Sequence, residues 1–245
     1  MSLSIVSPVY NSANTIYDLV DEICKAIVVF TNDFDIILVD DGSADNSWQQ
    51  IENICKNNAK VKGVKLKQNY GQHQAILAGL EQAKGDWMVV LDCDLQDNPA
   101  EIPKLFLETK NGFKIIMAKR MNRKDSFLKK WTSFIFWKTL SFLSNTPIHP
   151  LVGNFGMYHK DVITQFILQN DTEPYFSIAM QKFKFNRVMV AVEHQARMNE
   201  KSSYSIYKLL KHAANVLIYS NKSHVERPSA SNRVIHYSIE KIITN

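Results

Sequence analysis

The segment Trp87-Met88-Val89-Val90-Leu91-Asp92-Cys93-Asp94-Leu95-Gln96 runs an unbroken apolar stretch straight into two carboxylates separated by a single residue. An apolar run of this length suits a strand buried on both faces. Acids just beyond the carboxyl end of such a strand stand where open α/β sheets bind their ligands.

The same arrangement recurs upstream. Leu3–Val9 is followed by Tyr10-Asn11-Ser12, and Asp35–Val39 is followed by Asp40-Asp41-Gly42-Ser43. Between these runs, and around a further one at Val64–Leu66, amphipathic patterns predict helices near Thr15–Phe30, Ser47–Asn57 and Gln72–Ala83. Strands alternating with helices imply an α/β fold with a single, mainly parallel sheet flanked by helices. Downstream, Asn98-Pro99-Ala100-Glu101 resembles a helix start with Asn98 as cap, and Pro103 leaves the first turn uncertain by a few residues.

The chain has 245 residues, enough for one substantial core, and one domain over residues 1–222 is expected. The polar stretch 223–245, with Arg227-Pro228-Ser229, reads as a loosely held tail. A net charge of +5 is too mild for a protein that wraps a polyanion, so no nucleic-acid partner is expected. Three widely spaced cysteines, Cys24, Cys55 and Cys93, fit neither a disulfide framework nor a zinc knuckle and suit a reducing compartment. No secretory leader pattern opens the sequence, and no apolar run is long enough to span a bilayer. The expected location is therefore cytoplasmic, with peripheral attachment to the inner face of the cell membrane left open. That option rests on the basic segment Lys119 to Lys130, which leads into the aromatic run Trp131 to Trp137. Such a pattern fits a helix packed on its own core, the more common case, and also a helix lying in a membrane interface.

Asp92 and Asp94 offer hard oxygen ligands to a divalent cation, Mg²⁺ or Mn²⁺, whose other ligands would be diphosphate oxygens and water. Asp40 and Asp41 read either as caps of the following helix or as acceptors for a nucleobase N–H or a ribose hydroxyl, with Tyr10 as a stacking face beside them. Arg120, Arg123 and Arg197 are candidate phosphate clamps or ordinary surface cations. His73 reads as a packing residue rather than a base.

Taken together, Val6-Ser7-Pro8-Val9-Tyr10-Asn11, Val39-Asp40-Asp41-Gly42-Ser43 and Leu91-Asp92-Cys93-Asp94-Leu95-Gln96 strongly resemble the family 2 glycosyltransferases of GT-A fold. Asn69-Tyr70-Gly71-Gln72-His73 through Pro103 is similar to the polyprenyl-phosphate branch, the undecaprenyl-phosphate aminoarabinose-type transferases and dolichyl-phosphate mannose synthases. The resemblance implies a nucleotide-diphosphate sugar donor and inverting transfer. It places Pro8, Tyr10, Asp40 and Asp92 at the nucleotide, and Asp92 and Asp94 at the metal. Asp94, Gln96 and Arg120 become the catalytic set, and Arg123, Arg197 and Ser203 lie near the acceptor phosphate. The acceptor it implies is a polyprenyl phosphate, reached at a membrane surface or through a membrane partner.

Two departures bear on this. Relatives often carry an acid in a Gly-Asp-Phe/Tyr motif where this chain reads Gly153-Asn154-Phe155, and Ser203 stands where a Lys is common. A saccharide hydroxyl is the alternative acceptor; it would require a base, for which Asp171 and Glu173 are the candidates. A non-catalytic nucleotide-sugar binding module is the alternative from a different class.

Overall fold

A computed structural model of the chain describes residues 1–121, 149, 151–168, 175–193 and 236–244. Within the first half, the expected alternation is present: β1 (Leu3–Val9), α1 (Ile16–Val28), β2 (Phe34–Asp40), α2 (Ser47–Asn57), β3 (Val61–Leu66), α3 (Gln72–Gln82) and β4 (Trp87–Val90). There follow α4 (Ile102–Thr109), β5 (Ile115–Arg120), β6 (Val152–His159), α5 (Lys160–Leu168), α6 (Phe176–Lys182), β7 (Arg187–Val192) and β8 (Ile239–Ile243). Asn98 does act as a cap, its side chain accepting from the Ala100 N–H at 3.0 Å, but over a short 3₁₀ turn; α4 begins afterwards, with Pro103 in its first turn.

All eight strands lie in one sheet, in the order β7-β5-β6-β4-β1-β2-β3-β8. The central neighbours β4, β1, β2 and β3 run parallel, so their carboxyl ends share one edge. β6 enters antiparallel between β4 and β5, making the sheet mixed and bringing the beginning of β6 to that same edge. Strand alternation sends side chains to two cores. Ile5, Val9, Ile36 and Leu38 pack under α1, α2 and α4, while Val6, Ile37 and Val39 pack under α3. Every residue of β1 is buried, which is what an uninterrupted apolar run in a doubly covered sheet requires.

The stretch 223–245 is not a tail throughout. Ile239–Ile243 forms an edge strand antiparallel to β3, Tyr237 is buried with its phenol donating to Glu81, and Lys241 pairs with Glu52 at 2.9 Å. Five residues with isoleucine at 239, 242 and 243 are too short a pattern to stand out beside Arg227-Pro228-Ser229. They close the edge that β3 would otherwise present. The basic and aromatic segment after Met121 lies outside the described residues, as do Asp171 and Glu173. Among the described residues no helix is long and apolar enough to cross a membrane.

Gly42 turns the chain after β2 with φ +66°, and a Cβ there would lie 2.5 Å from the Gln68 carbonyl carbon and 2.6 Å from the Asn69 nitrogen. Left-handed backbone and a backbone clash act together, so Gly42→Ala is expected to cost about 2–3 kcal/mol. Chemical denaturation that shows no change in midpoint would contradict this account of the turn.

Candidate active site

An open cleft of about 440 Å³ lies beyond the carboxyl ends of β1, β2 and β4, where a parallel sheet places its ligands. The loop after β1 is tied to the loop after β2. Asn11, at φ 48°, accepts from the Ala44 N–H at 2.9 Å and donates its own N–H to Ser43 Oγ at 3.0 Å. The Ser12 N–H donates to Ser47 Oγ at 2.9 Å. Held in this way, Tyr10 is left half-exposed at the cleft wall beside Pro8, an aromatic face available for stacking.

Asp41 also lines the cleft, but its carboxylate is engaged: it accepts the backbone N–H groups of Tyr70 at 2.7 Å and Gly71 at 2.9 Å, fixing the turn that opens α3. Neither Asp40 nor Asp41 caps α2: its N-cap position is Asn46, and the Ser47 N–H donates to the Asp45 carboxylate at 3.0 Å. Asp40 is wholly buried behind the wall rather than on it. Neither of its oxygens has a hydrogen-bond partner among the described residues, and burial pushes its pKa up. Ser43 lies near enough to moderate that shift without reaching hydrogen-bonding geometry.

The acidic segment after β4 is clamped from behind. Thr15 donates to the Cys93 carbonyl at 2.8 Å, and the Cys93 thiol donates to Ser12 Oγ at 3.1 Å. Burial raises the pKa of that thiol, so Cys93 is a packing group rather than a nucleophile. Leu95 takes a left-handed conformation, φ 58°, unusual for a bulky residue; strained backbone of this kind clusters at functional sites. The Gln96 N–H donates to Asp94 Oδ1 at 3.2 Å. Asp92, partly reached by solvent yet enclosed by protein on most sides, has its pKa pushed up to about 6, first by desolvation and then by the charge of Asp97.

Asp97 is 1% exposed and pairs with Arg120, Nη2 to Oδ2 at 3.1 Å. The guanidinium lies over Gly153, where an added Cβ would come within 2.9 Å of Nη2. Arg120 lines the cleft with 26% of its side chain exposed, and among the described residues Asp97 engages its guanidinium only through Nη2, so N–H groups remain for a ligand.

Of the residues singled out by sequence, Pro8, Tyr10, Asp92, Asp94, Gln96 and Arg120 meet in this one cleft. Arg123, Arg197 and Ser203 lie outside the described residues. His73 stacks edge-on against Phe166 at 5.8 Å between ring centroids, the packing role expected of it. Two groups were missed, Gln72, which donates to Asp92, and Asp97, while Asn154, read only as a departure from an acidic motif, also donates to Asp92. A third acid five residues after Asp92 was a usable signal for Asp97. Nothing in the sequence pairs Gln72 with Asn154, because α3 and β6 meet only in the fold.

The donor set suits a hard divalent cation. Two carboxylates stand one residue apart at a strand end, the charge of one raises the proton affinity of the other, and no group of three or more metal-binding side chains gathers among the described residues. Mg²⁺-type sites are commonly built in this manner, with one or two carboxylates and the remaining ligands from phosphate and water.

Comparison with known proteins bears on the family and the fold. The chain is 33% identical over 215 residues to an undecaprenyl-phosphate 4-deoxy-4-formamido-L-arabinose transferase of Proteus mirabilis, covering 85% of this chain and 64% of that protein. It is 32% identical over 209 residues to the Pseudomonas fluorescens enzyme of the same name, covering 85% and 61%. The chain therefore spans less than two thirds of the length of these curated relatives. Among solved structures, a mannosyltransferase from Pyrobaculum calidifontis in complex with GDP-Man and Mn²⁺ superposes with a TM-score of 0.63 at 14% identity, over 96% of this chain and 68% of that one. Glucosyl-3-phosphoglycerate synthase from Mycobacterium tuberculosis with Mn²⁺ and UDP-Glc gives 0.59 at 17%, over 98% and 86%. At such identities the likeness concerns the GT-A fold. The description "Glycosyl transferase family 2" matches residues 4–166, well over half of the chain, and the protein belongs to that family.

Proposed function

We propose that this chain transfers a sugar from a nucleotide-diphosphate donor to a polyprenyl phosphate at the cytoplasmic face of the membrane, with Mg²⁺ or Mn²⁺ at Asp92 and Asp94. The observation that carries the proposal is the meeting of two strand-end carboxylates and a partly unengaged arginine in one cleft. That is the charge pattern a metal–diphosphate requires. The named relatives act on undecaprenyl phosphate, and solved neighbours hold Mn²⁺ with nucleotide sugars.

In this reading Tyr10 and Pro8 stack on and border the nucleoside. Asp40, which the resemblance assigns to the nucleoside, is buried behind the cleft wall, so Tyr10 and Pro8 are the contacts the cleft itself offers to the base. Bound metal would neutralise charge on the departing nucleotide diphosphate. Gln96 borders the carboxylate pair, and Arg120 offsets phosphate charge. The acceptor oxygen attacks the anomeric carbon as the bond to the diphosphate breaks, so the configuration inverts. Arg123, Arg197 and Ser203, outside the described residues, are the groups that the resemblance assigns to the acceptor phosphate.

The choice of acceptor follows from how the acids of the cleft are engaged. Asp41 holds two backbone N–H groups, Asp92 accepts from two side-chain amides, and Asp94 accepts from Gln96. The position at which relatives often place an acid is Asn154, which donates. Among the described residues, then, the cleft offers no spare base. A phosphate monoester is already anionic at neutral pH and needs only positioning and charge neutralisation, whereas a sugar hydroxyl needs its proton removed.

The protein incubated with Mn²⁺ and uridine, guanosine or thymidine diphosphate sugars is expected to release nucleotide diphosphate when a polyprenyl phosphate is added. Release only with a saccharide acceptor would reassign the acceptor. Metal-dependent nucleotide binding without release would point to a non-catalytic binding module.

A further inference from the structure

The Asp92 carboxylate accepts both of its hydrogen bonds on one oxygen. Gln72 Nε2, from the first residue of α3, donates to Oδ1 at 2.8 Å, and Asn154 Nδ2, from β6, donates to the same Oδ1 at 3.2 Å. A carboxylate oxygen has two lone-pair sites, and here both are taken. No described residue donates to Oδ2.

From this we infer that Gln72 and Asn154 form a positioning pair, which fixes the rotamer of Asp92 and directs its remaining oxygen to the divalent cation. The inference rests on the metal reading given above. Both partners are amides, so each donates without adding charge to a site that already holds Asp92, Asp94 and Asp97. An acid in place of Asn154 would present an acceptor to an acceptor, and that contact would be lost. The two donors also come from different elements, one from the helix that joins β3 to β4 and one from the antiparallel strand β6. The Asp92 Oδ1 is therefore tied to two separate parts of the fold. Outer partners of metal ligands commonly alter metal affinity by about 10- to 100-fold.

The test is Mn²⁺ binding followed by the electron paramagnetic resonance signal of free Mn²⁺, on the full chain with the metal alone. Gln72→Met keeps the length of the side chain on an exposed residue and removes the donor, so the fold should be retained. Asn154→Leu does the same from β6. Each variant is expected to bind Mn²⁺ about tenfold more weakly with an unchanged melting temperature. In the transfer reaction the Mn²⁺ requirement should rise by a similar factor, while the rate at saturating Mn²⁺ stays within about twofold of the parent. A purely structural role would lower the melting temperature and leave the Mn²⁺ requirement of the folded fraction unchanged. Gln72→Met with the parent's Mn²⁺ affinity overturns the pairing even if transfer itself is confirmed. A parent protein that transfers sugar at an undiminished rate in excess EDTA overturns the pairing together with the metal reading.

Discussion

Asp94→Asn is expected to lower the rate of nucleotide diphosphate release by about 10³-fold, equivalent to about 4 kcal/mol of transition-state stabilisation. Asparagine preserves the shape at the strand end and removes the charge that would hold a cation against the diphosphate. Asp92→Asn should cost a similar factor for a more local reason. Its carbonyl oxygen would stay with the Gln72 and Asn154 donors, turning the amide nitrogen toward the cation. The Asp92 variant is separable from collapse of the fold by the sign of its effect on stability. The pKa of Asp92 lies near 6 in the folded chain against an ordinary 3.8, so the fold binds that proton more tightly than the unfolded chain does. Metal-free stability from this group then rises as pH falls from about 7 towards 4, and above that range its charge opposes folding. Asp92→Asn is accordingly expected to melt at or above the temperature of the parent at neutral pH while losing its activity. Such opposition of stability and function is common where a site gathers like charges. Release at the parental rate from either variant, measured with saturating donor and Mn²⁺, would remove the carboxylate pair from the mechanism.

What could be read from sequence was whatever the chain states locally. β1 and α2 were legible to the residue, and β2, β3, α1, α3 and β4 to within a few residues at each end, because each is a continuous apolar run or a helical stripe bounded by Asn, Asp, Gly or Ser. The clustering of Pro8, Tyr10, Asp92 and Asp94 followed once those strands were read as parallel neighbours. The second half was harder. β6 runs antiparallel inside the sheet, so its first residues arrive at the site from the opposite direction, and nothing in Val152-Gly153-Asn154 announces this. β8 is five residues long and pairs across more than 170 positions with β3. Asp40 and Asp41 look interchangeable on the page. Strand register separates them: Asp40 ends β2 opposite Val9 and points into the interior, while Asp41, one residue on, reaches the backbone N–H groups of Tyr70 and Gly71.

Arg120 is where stability and chemistry can be separated by design. Arg120→Met withdraws a cation from Asp97, a carboxylate only 1% exposed, and is expected to cost about 3 kcal/mol of stability, the low end for breaking a buried pair. It also withdraws one of the influences that lower the pKa of Asp92, so the proton affinity of that carboxylate should rise further and metal binding should need a higher pH. Adding Asp97→Asn reverses both consequences. It removes the charge left behind, and it removes the neighbour whose field raises Asp92 most strongly after desolvation. The double variant is therefore expected to recover most of the lost melting temperature. It is not expected to recover the rate, because the guanidinium that would meet the phosphate is still missing, a deficit of about 10²- to 10³-fold by analogy with the removal of one preorganised donor to a developing oxyanion. Arg120→Lys belongs between the two. A lysine can still face Asp97 with a point charge but cannot serve the carboxylate and a phosphate at once through a planar fork, so stability should be largely kept and the rate only partly. Thermal melts and nucleotide diphosphate release measured on these three proteins would decide the matter. If the double variant regained both, Arg120 would be a structural partner of Asp97 and the phosphate would have to be met by another cation.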